Sequence, residues 1–171
     1  MCRNSNDYEY LCRRMRDSKL TNIIYLDHAA TTPLSATAWA AMEPHVQETW
    51  GNSSSMYTIG RRAHDVKESA REAVAKALKV AASEIIFTGS GTEADNLAII
   101  GLARAARERG RHIIVSSIEH QAVLEAAKRL EEDGYDVTYL PVDADGIVRP
   151  ESVVAALRPD TTLVSVMLAN N

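Results

Sequence analysis

Three observations predict an α/β fold with a mainly parallel sheet. Beyond Glu84, short apolar runs alternate with longer stretches of helical periodicity. The first of these runs, Ile85-Ile86-Phe87, passes into Thr88-Gly89-Ser90-Gly91-Thr92 and then into a helix. The third is length: 171 residues suffice for one ordinary domain and are too few for two large ones.

The elements follow in chain order. Residues 1–22 carry Arg3, Arg13, Arg14, Arg16 and Lys19 against Asp7, Glu9 and Asp17, with no apolar core. They read as a polar extension, neither a secretory signal nor a transit peptide. Ile23 to Leu26 is apolar, and Ala29 to Pro33 is a loop closed by proline. Ser35 to Thr49 has helix spacing, with Trp39, Met42 and Val46 on one side and Pro44 expected to kink or split it. Gly51 to Ser55 is a loop. Gly60 to Lys79 is a helix whose Val66, Ala70, Val74 and Leu78 recur every fourth residue. Strands are expected at Glu84–Thr88, His112–Ser116, Val137–Pro141 and Thr162–Leu168. Helices are expected at Thr92–Arg109, His120–Asp133 and from Pro150 to about Arg158.

Composition narrows the function. The formal charge is −4 and aromatics are only 5%, so no basic, aromatic-rich surface for nucleic acid is expected. No apolar run approaches the ~18 residues of a membrane span. The two cysteines, Cys2 and Cys12, make neither a disulfide framework nor a metal cluster. Their scarcity fits a reducing compartment, and a cytoplasmic location is expected. Asp143-Ala144-Asp145-Gly146 lacks the further ligands of a calcium loop, and His28, His45 and His64 have no metal-ligand spacing. No metal is expected.

The chemistry concentrates at three places. Thr88 to Thr92 places two glycines at a strand–helix junction, where backbone approaches a ligand closely and the first helical N–H groups lack internal partners. Such a turn, with Ser90 and Thr92 hydroxyls beside it, suits an anion. It reads equally as a tight turn with Thr92 as a cap. It matches neither the Walker pattern nor G-x-G-x-x-G. His120 opens a helix after the strand His112–Ser116, at the strand end where functional residues gather. A histidine there can stack on an aromatic ring or move protons, though a lone histidine at a helix start more often has no such role. Asn170 and Asn171 follow the last strand and suit a phenolic oxygen or a carboxylate, or simply form a turn.

Taken together, these segments resemble the NifS/IscS-type cysteine desulfurases. The resemblance rests on Tyr25-Leu26-Asp27-His28-Ala29-Ala30-Thr31-Thr32-Pro33, Gly51-Asn52, Ile86-Phe87-Thr88 with Gly91-Thr92-Glu93-Ala94-Asp95-Asn96, Glu119-His120, and Leu163 to Met167 with Asn170-Asn171. These motifs stand in the family's order and span nearly all of Ile23 to Asn171. The resemblance implies pyridoxal 5′-phosphate (PLP) on the fold-type I aminotransferase scaffold. It also implies removal of sulfur from L-cysteine, leaving L-alanine. The sulfur passes as a persulfide to an acceptor or scaffold protein, for iron–sulfur clusters or tRNA thiolation. It implies that Gly91 and Thr92 hold the cofactor phosphate and that His120, the catalytic candidate, stacks on its ring. Asn171 would contact its phenolic oxygen and the substrate carboxylate, and Ala29 to Thr32 would line the entrance. Residues 23–171 would form the front of the PLP-binding domain, including a segment of the small domain or entrance. Family members are homodimers.

Two departures stand out. Ser53 follows Asn52 where the family usually has proline. The family's Schiff-base lysine and mobile-loop cysteine fall beyond the matched motifs, and none of Lys19, Lys67, Lys76, Lys79 and Lys128 stands at a strand end near the turn. The family's sheet also separates the strand before the phosphate turn from the other three by strands that come later in its chain. Residues 1–171 alone are therefore expected to leave Glu84–Thr88 unpartnered and to be neither active nor stably native. Two other readings are a different class-V PLP enzyme, such as a selenocysteine lyase, and a non-catalytic chain that binds a partner or a phosphate compound.

Overall fold

The structure, a computed structural model, describes residues 24–170. The polar extension with Cys2 and Cys12, and Asn171 at the other end, lie outside the described residues. Those described fall into two compact units, residues 24–44 and His45–Asn170.

In the first unit, Ala30 N–H donates to the Asp27 carbonyl (3.1 Å) and closes a turn, and the Tyr25 and His28 rings meet edge to face with centroids 5.0 Å apart. Helix α1, Ala36–Glu48, begins where Ser35 Oγ accepts from Ala38 N–H. It continues through Pro44 without splitting, and the boundary between the units falls at that proline.

The second unit holds α2 (Thr58–Leu78), a 3₁₀ turn (Ala82–Glu84), α3 (Gly91–Ala105), β1 (His112–Ser116), α4 (Gln121–Glu132), β2 (Asp136–Leu140), α5 (Pro150–Ala156) and β3 (Thr161–Ser165). The three strands form a parallel sheet in the order β2-β1-β3. β1 is buried along its whole length, as a central parallel strand with an apolar sequence should be. Its Ile113 and Val115 pack with Ile99 and Ala103 of α3 and Val123, Ala127 and Leu130 of α4. These α4 residues recur at helical spacing, so one face of the helix is buried. Gly134, with φ +84°, supplies the left-handed residue that turns the chain from α4 into β2.

The opposite face of β1 carries a polar stitch. His112 is fully buried, with Nδ1 2.7 Å from Thr161 Oγ1 on β3 and Nε2 2.9 Å from Thr138 Oγ1 on β2. One imidazole thus joins all three strands, and both ring nitrogens are satisfied. Beside it, Arg158 pairs with Asp136 and Asp160 at the same end of the sheet.

Three expectations are corrected. Glu84–Thr88 is not a strand: residues 82–84 form the 3₁₀ turn, and 85–88 run without a ladder partner among the described residues. An apolar sequence becomes a strand only when a neighbouring backbone takes its N–H and C=O groups. Here the guanidinium of Arg71 donates to the Ile85 carbonyl and lies 4.9 Å over the Phe87 ring, standing in for part of that partner. Second, the periodic face of α2 is not covered: Leu78 is 63% exposed and Val74 is also exposed, and the helix buries only Gly60 and Ala75. Third, α3 ends at Ala105 rather than Arg109, and β3 ends at Ser165 rather than Leu168. The Ser53 departure has a partner, since Lys67 Nζ donates to its hydroxyl at 3.4 Å.

Burial pushes the His112 imidazole below its ordinary value of 6.5, and the nearby Arg158 cation adds to the effect. The unfolded chain then binds this proton more readily than the folded one. The contribution is complete above about pH 6.5 and is lost as pH falls through the folded value. Urea denaturation across this range is expected to show stability falling below about pH 6.5, with the slope reduced in His112→Gln.

Candidate functional site

In the strand order β2-β1-β3, the chain leaves β1 to form its neighbour β2 and then crosses to form β3 on the other side. The crevice between the carboxyl ends of β1 and β3 is therefore a topological switch point, where open α/β sheets bind ligands. The loop after β1 carries Ser117 to His120, and the segment after β3 carries Val166 to Asn170.

That loop is pinned on both sides. Ser117 N–H donates to the Leu140 carbonyl at the end of β2 (2.9 Å). Toward β3, Glu119 Oε1 accepts from Met167 N–H (2.7 Å) and from Ser116 Oγ (2.8 Å), and the side-chain amide of Asn170 donates to the Ile118 carbonyl. His120 caps α4: its Nδ1 accepts from Ala122 N–H (3.1 Å). In this arrangement the proton of the neutral ring sits on Nε2. The ring itself is exposed.

The turn lies at the amino end of α3. Ser90, extended at φ −164°, is the cap, and its Oγ accepts from Glu93 N–H (3.2 Å). This corrects the expectation of Thr92 as the cap, because Thr92 lies inside the helix. Glu93 Oε2 accepts from Gly89 N–H (2.7 Å), and Thr88 Oγ1 donates to the Ser90 carbonyl (3.0 Å). The amides of Gly91 and Thr92 donate to no described residue. A Cβ built on Gly91 would meet nothing within 4 Å, so packing does not demand glycine there. The result is an exposed helix end whose first two N–H groups donate to no described residue, with a hydroxyl at Thr92, which suits an anionic oxygen cluster such as a phosphate.

The structure thus brings His120 and Asn170 to one rim, joined through the Ile118–Glu119 loop. It does not join the turn to that rim by any hydrogen bond among the described residues. Asn171 follows Asn170 but lies outside the described residues. Ala29 to Thr32 belong to the other unit. Sequence reasoning quoted Glu93 and Glu119 only within the family motifs and gave a role to neither of them nor to Arg71. The S-x-x-E spacing of Ser90 and Glu93 is a helix-start signature and was the available signal for the first. Among the described residues, no group of three or more His, Cys, Asp or Glu side chains could hold a metal, and no helix is long and apolar enough to cross a membrane.

Residues 24–171 match the aminotransferase class-V family. The chain belongs to that family. It is 50% identical over 148 residues to cysteine desulfurase IscS of Dictyoglomus turgidum, covering 86% of this chain and 38% of the relative. It is 46% identical over 160 residues to cysteine desulfurase IscS of Methanosarcina thermophila, covering 94% of this chain and 40% of that one. Among solved structures, a NifS-like protein superposes with a TM-score of 0.81 at 41% identity, over 86% of this chain and 40% of its own. SspA in complex with cysteine superposes at 0.77 and 39% identity, over 83% and 41%. The chain therefore spans about 40% of the length of the relatives it matches. Its three-stranded parallel sheet with flanking helices is part of their α/β fold.

Replacing Ser90 with Ala is expected to lower stability by about 1 kcal/mol through loss of the cap. Gly91→Ala, which meets no neighbour, is expected to leave stability unchanged or slightly higher. Urea denaturation of the two variants beside the parent chain checks both.

Proposed function

We propose that these residues form the phosphate- and ring-binding part of a PLP-dependent cysteine desulfurase, which takes sulfur from L-cysteine, leaves L-alanine and hands the sulfur to an acceptor protein. The observation that carries this reading is the pair of exposed amides at Gly91 and Thr92, which donate to no described residue at the start of α3. The names of the relatives support it, as does the cysteine held by the SspA neighbour.

The residues present fit the cofactor. Gly91 and Thr92 N–H and the Thr92 hydroxyl would hold its phosphate, where the dipole of α3 favours negative charge. When bound, PLP supplies an electron sink for bond breaking on the amino-acid substrate. His120 would present its ring to the cofactor ring. With Nδ1 occupied by Ala122 N–H, the nitrogen left to hold or release a proton is Nε2. Asn171, beside Asn170 on the rim, would reach the phenolic oxygen and the substrate carboxylate. Ala29 to Thr32 would line the entrance. A homodimer and a cytoplasmic location accompany this reading.

Titration of the chain with PLP, pyridoxal and inorganic phosphate, followed by absorbance, tests the phosphate site. Pyridoxal is expected to bind at least about tenfold more weakly than PLP, because charge-assisted hydrogen bonds are lost, and phosphate should compete. Equal affinities for PLP and pyridoxal would overturn the assignment. The reaction is tested in a chimera that places residues 24–171 in the Bacillus subtilis relative, which is 50% identical over 148 residues. L-alanine release from L-cysteine is expected, with a loss of about 10² in His120→Ala. A chimera that binds PLP yet releases no alanine would remove the desulfurase reading.

A further inference from the structure

Glu119 is one of three buried polar side chains among the described residues, 6% exposed, at the mouth of the crevice between β1 and β3. The β1–β3 ladder ends at Val115 and Ser165. Beyond that point the backbones no longer bond each other. The Glu119 carboxylate takes over: one oxygen receives Ser116 Oγ at 2.8 Å, from the last residue of β1, and Met167 N–H at 2.7 Å, two residues past β3. Both donors are polar groups at strand ends that would otherwise lack this acceptor. The neighbouring bond from Asn170 to the Ile118 carbonyl crosses the same crevice. Immediately after Glu119 comes His120, the cap of α4.

We propose that Glu119 is a positioning residue that clamps the two lips of the switch-point crevice and so fixes His120 relative to the Met167–Asn170 segment. The inference rests on the rim's being the ring-binding side of the proposed PLP site. A buried carboxylate is costly unless its oxygens receive hydrogen bonds. Its two donors come from the adjacent strand ends, so moving either lip away would leave the charge with one bond fewer. The separation of the lips is thereby fixed by charge-assisted bonds, which are shorter and stronger than neutral ones.

Two variants separate position from charge. Glu119→Asp keeps the carboxylate but shortens its reach by one methylene, and Glu119→Gln keeps the reach but removes the charge. Amide hydrogen exchange at Met167 reads the clamp without any ligand, and PLP titration reads its consequence. In Glu119→Asp, Met167 exchange is expected to rise at least about tenfold, with Ile113 to Val115 unchanged, and PLP affinity to fall about tenfold, as for loss of one charge-assisted bond. Glu119→Gln, which keeps the acceptor in reach but makes both bonds neutral and weaker, is expected to fall between the parent and Glu119→Asp in both readouts. Unchanged Met167 exchange in Glu119→Asp overturns the clamp, whatever PLP does. Faster exchange with unchanged PLP affinity overturns the positioning role. If the parent chain itself binds no PLP, the cofactor reading fails and the positioning role for His120 fails with it, while the exchange result still decides the clamp. Should Glu119→Asp fail to fold, Ser116→Ala removes one arm and is expected to raise Met167 exchange more modestly; no change there also overturns the clamp.

Discussion

The complete burial of β1 is the constraint on which the rest of the second unit depends. A strand in the middle of a parallel sheet must have both backbone edges paired and both faces covered. β2 and β3 take the edges, and α3 with α4 takes the face of Ile113 and Val115. The other face carries a histidine beside the fully buried Ile114. His112 would be costly to bury alone, yet between Thr138 and Thr161 both its nitrogens are satisfied, and the bonds run across the sheet. A one-residue slip of either neighbour would carry its threonine to the opposite face of the sheet. The stitch therefore favours the register as well as the pairing. That register sets which residues stand at the carboxyl rim.

The two ends of the sheet are secured by different means. At the amino end Arg158 spans Asp136 and Asp160 in partly exposed pairs. Such pairs contribute little individually, about 0–1 kcal/mol. At the carboxyl end the joining groups are better shielded: Glu119 and Ser116 are buried, and the Met167 amide is partly buried. Buried charge-assisted bonds hold geometry where solvent does not compete. The stiffer closure thus lies at the end that carries His120, which is the end where a site needs fixed geometry.

Much of this was legible in the sequence, for identifiable reasons. β1 was read with its observed bounds because the apolar, β-branched core Ile113-Ile114-Val115 stands between a helix stop and a turn. β3 was read three residues too long because Val166 to Leu168 continue the apolar run while leaving the ladder, and hydrophobicity does not report whether a backbone is paired. Glu84–Thr88 was misread as a strand in the same way, although the lack of a partner followed from the family resemblance. The anion-binding turn was recognised from its glycines. Its internal wiring was not, because Glu93 reaches back to Gly89, one residue beyond the usual capping partner. Glu119 was invisible as a positioning group, since its role comes from a contact 48 residues away.

The unpaired segment Ile85–Thr88 is the less firmly held side of the phosphate turn. It leads directly into Gly89, whereas the Gly91 and Thr92 amides belong to α3, whose Ile99 and Ala103 lie in the core. A sheet would normally fix such a segment through a ladder on at least one edge. Here Arg71 grips it from α2 through the Ile85 carbonyl and the Phe87 ring, and Glu68 in turn holds the guanidinium at 2.9 Å. Ile86 meanwhile remains 68% exposed. The local wiring of Ser90, Glu93 and Thr88 is complete within the turn and does not need the sheet. The shape of the anion site is therefore intrinsic to residues 88–93, and its placement comes from the packing of α3, with Arg71 holding the segment that enters it. Segments with few buried apolar contacts open at low free energy. The entering segment can accordingly open while the turn and α3 keep their shape and place.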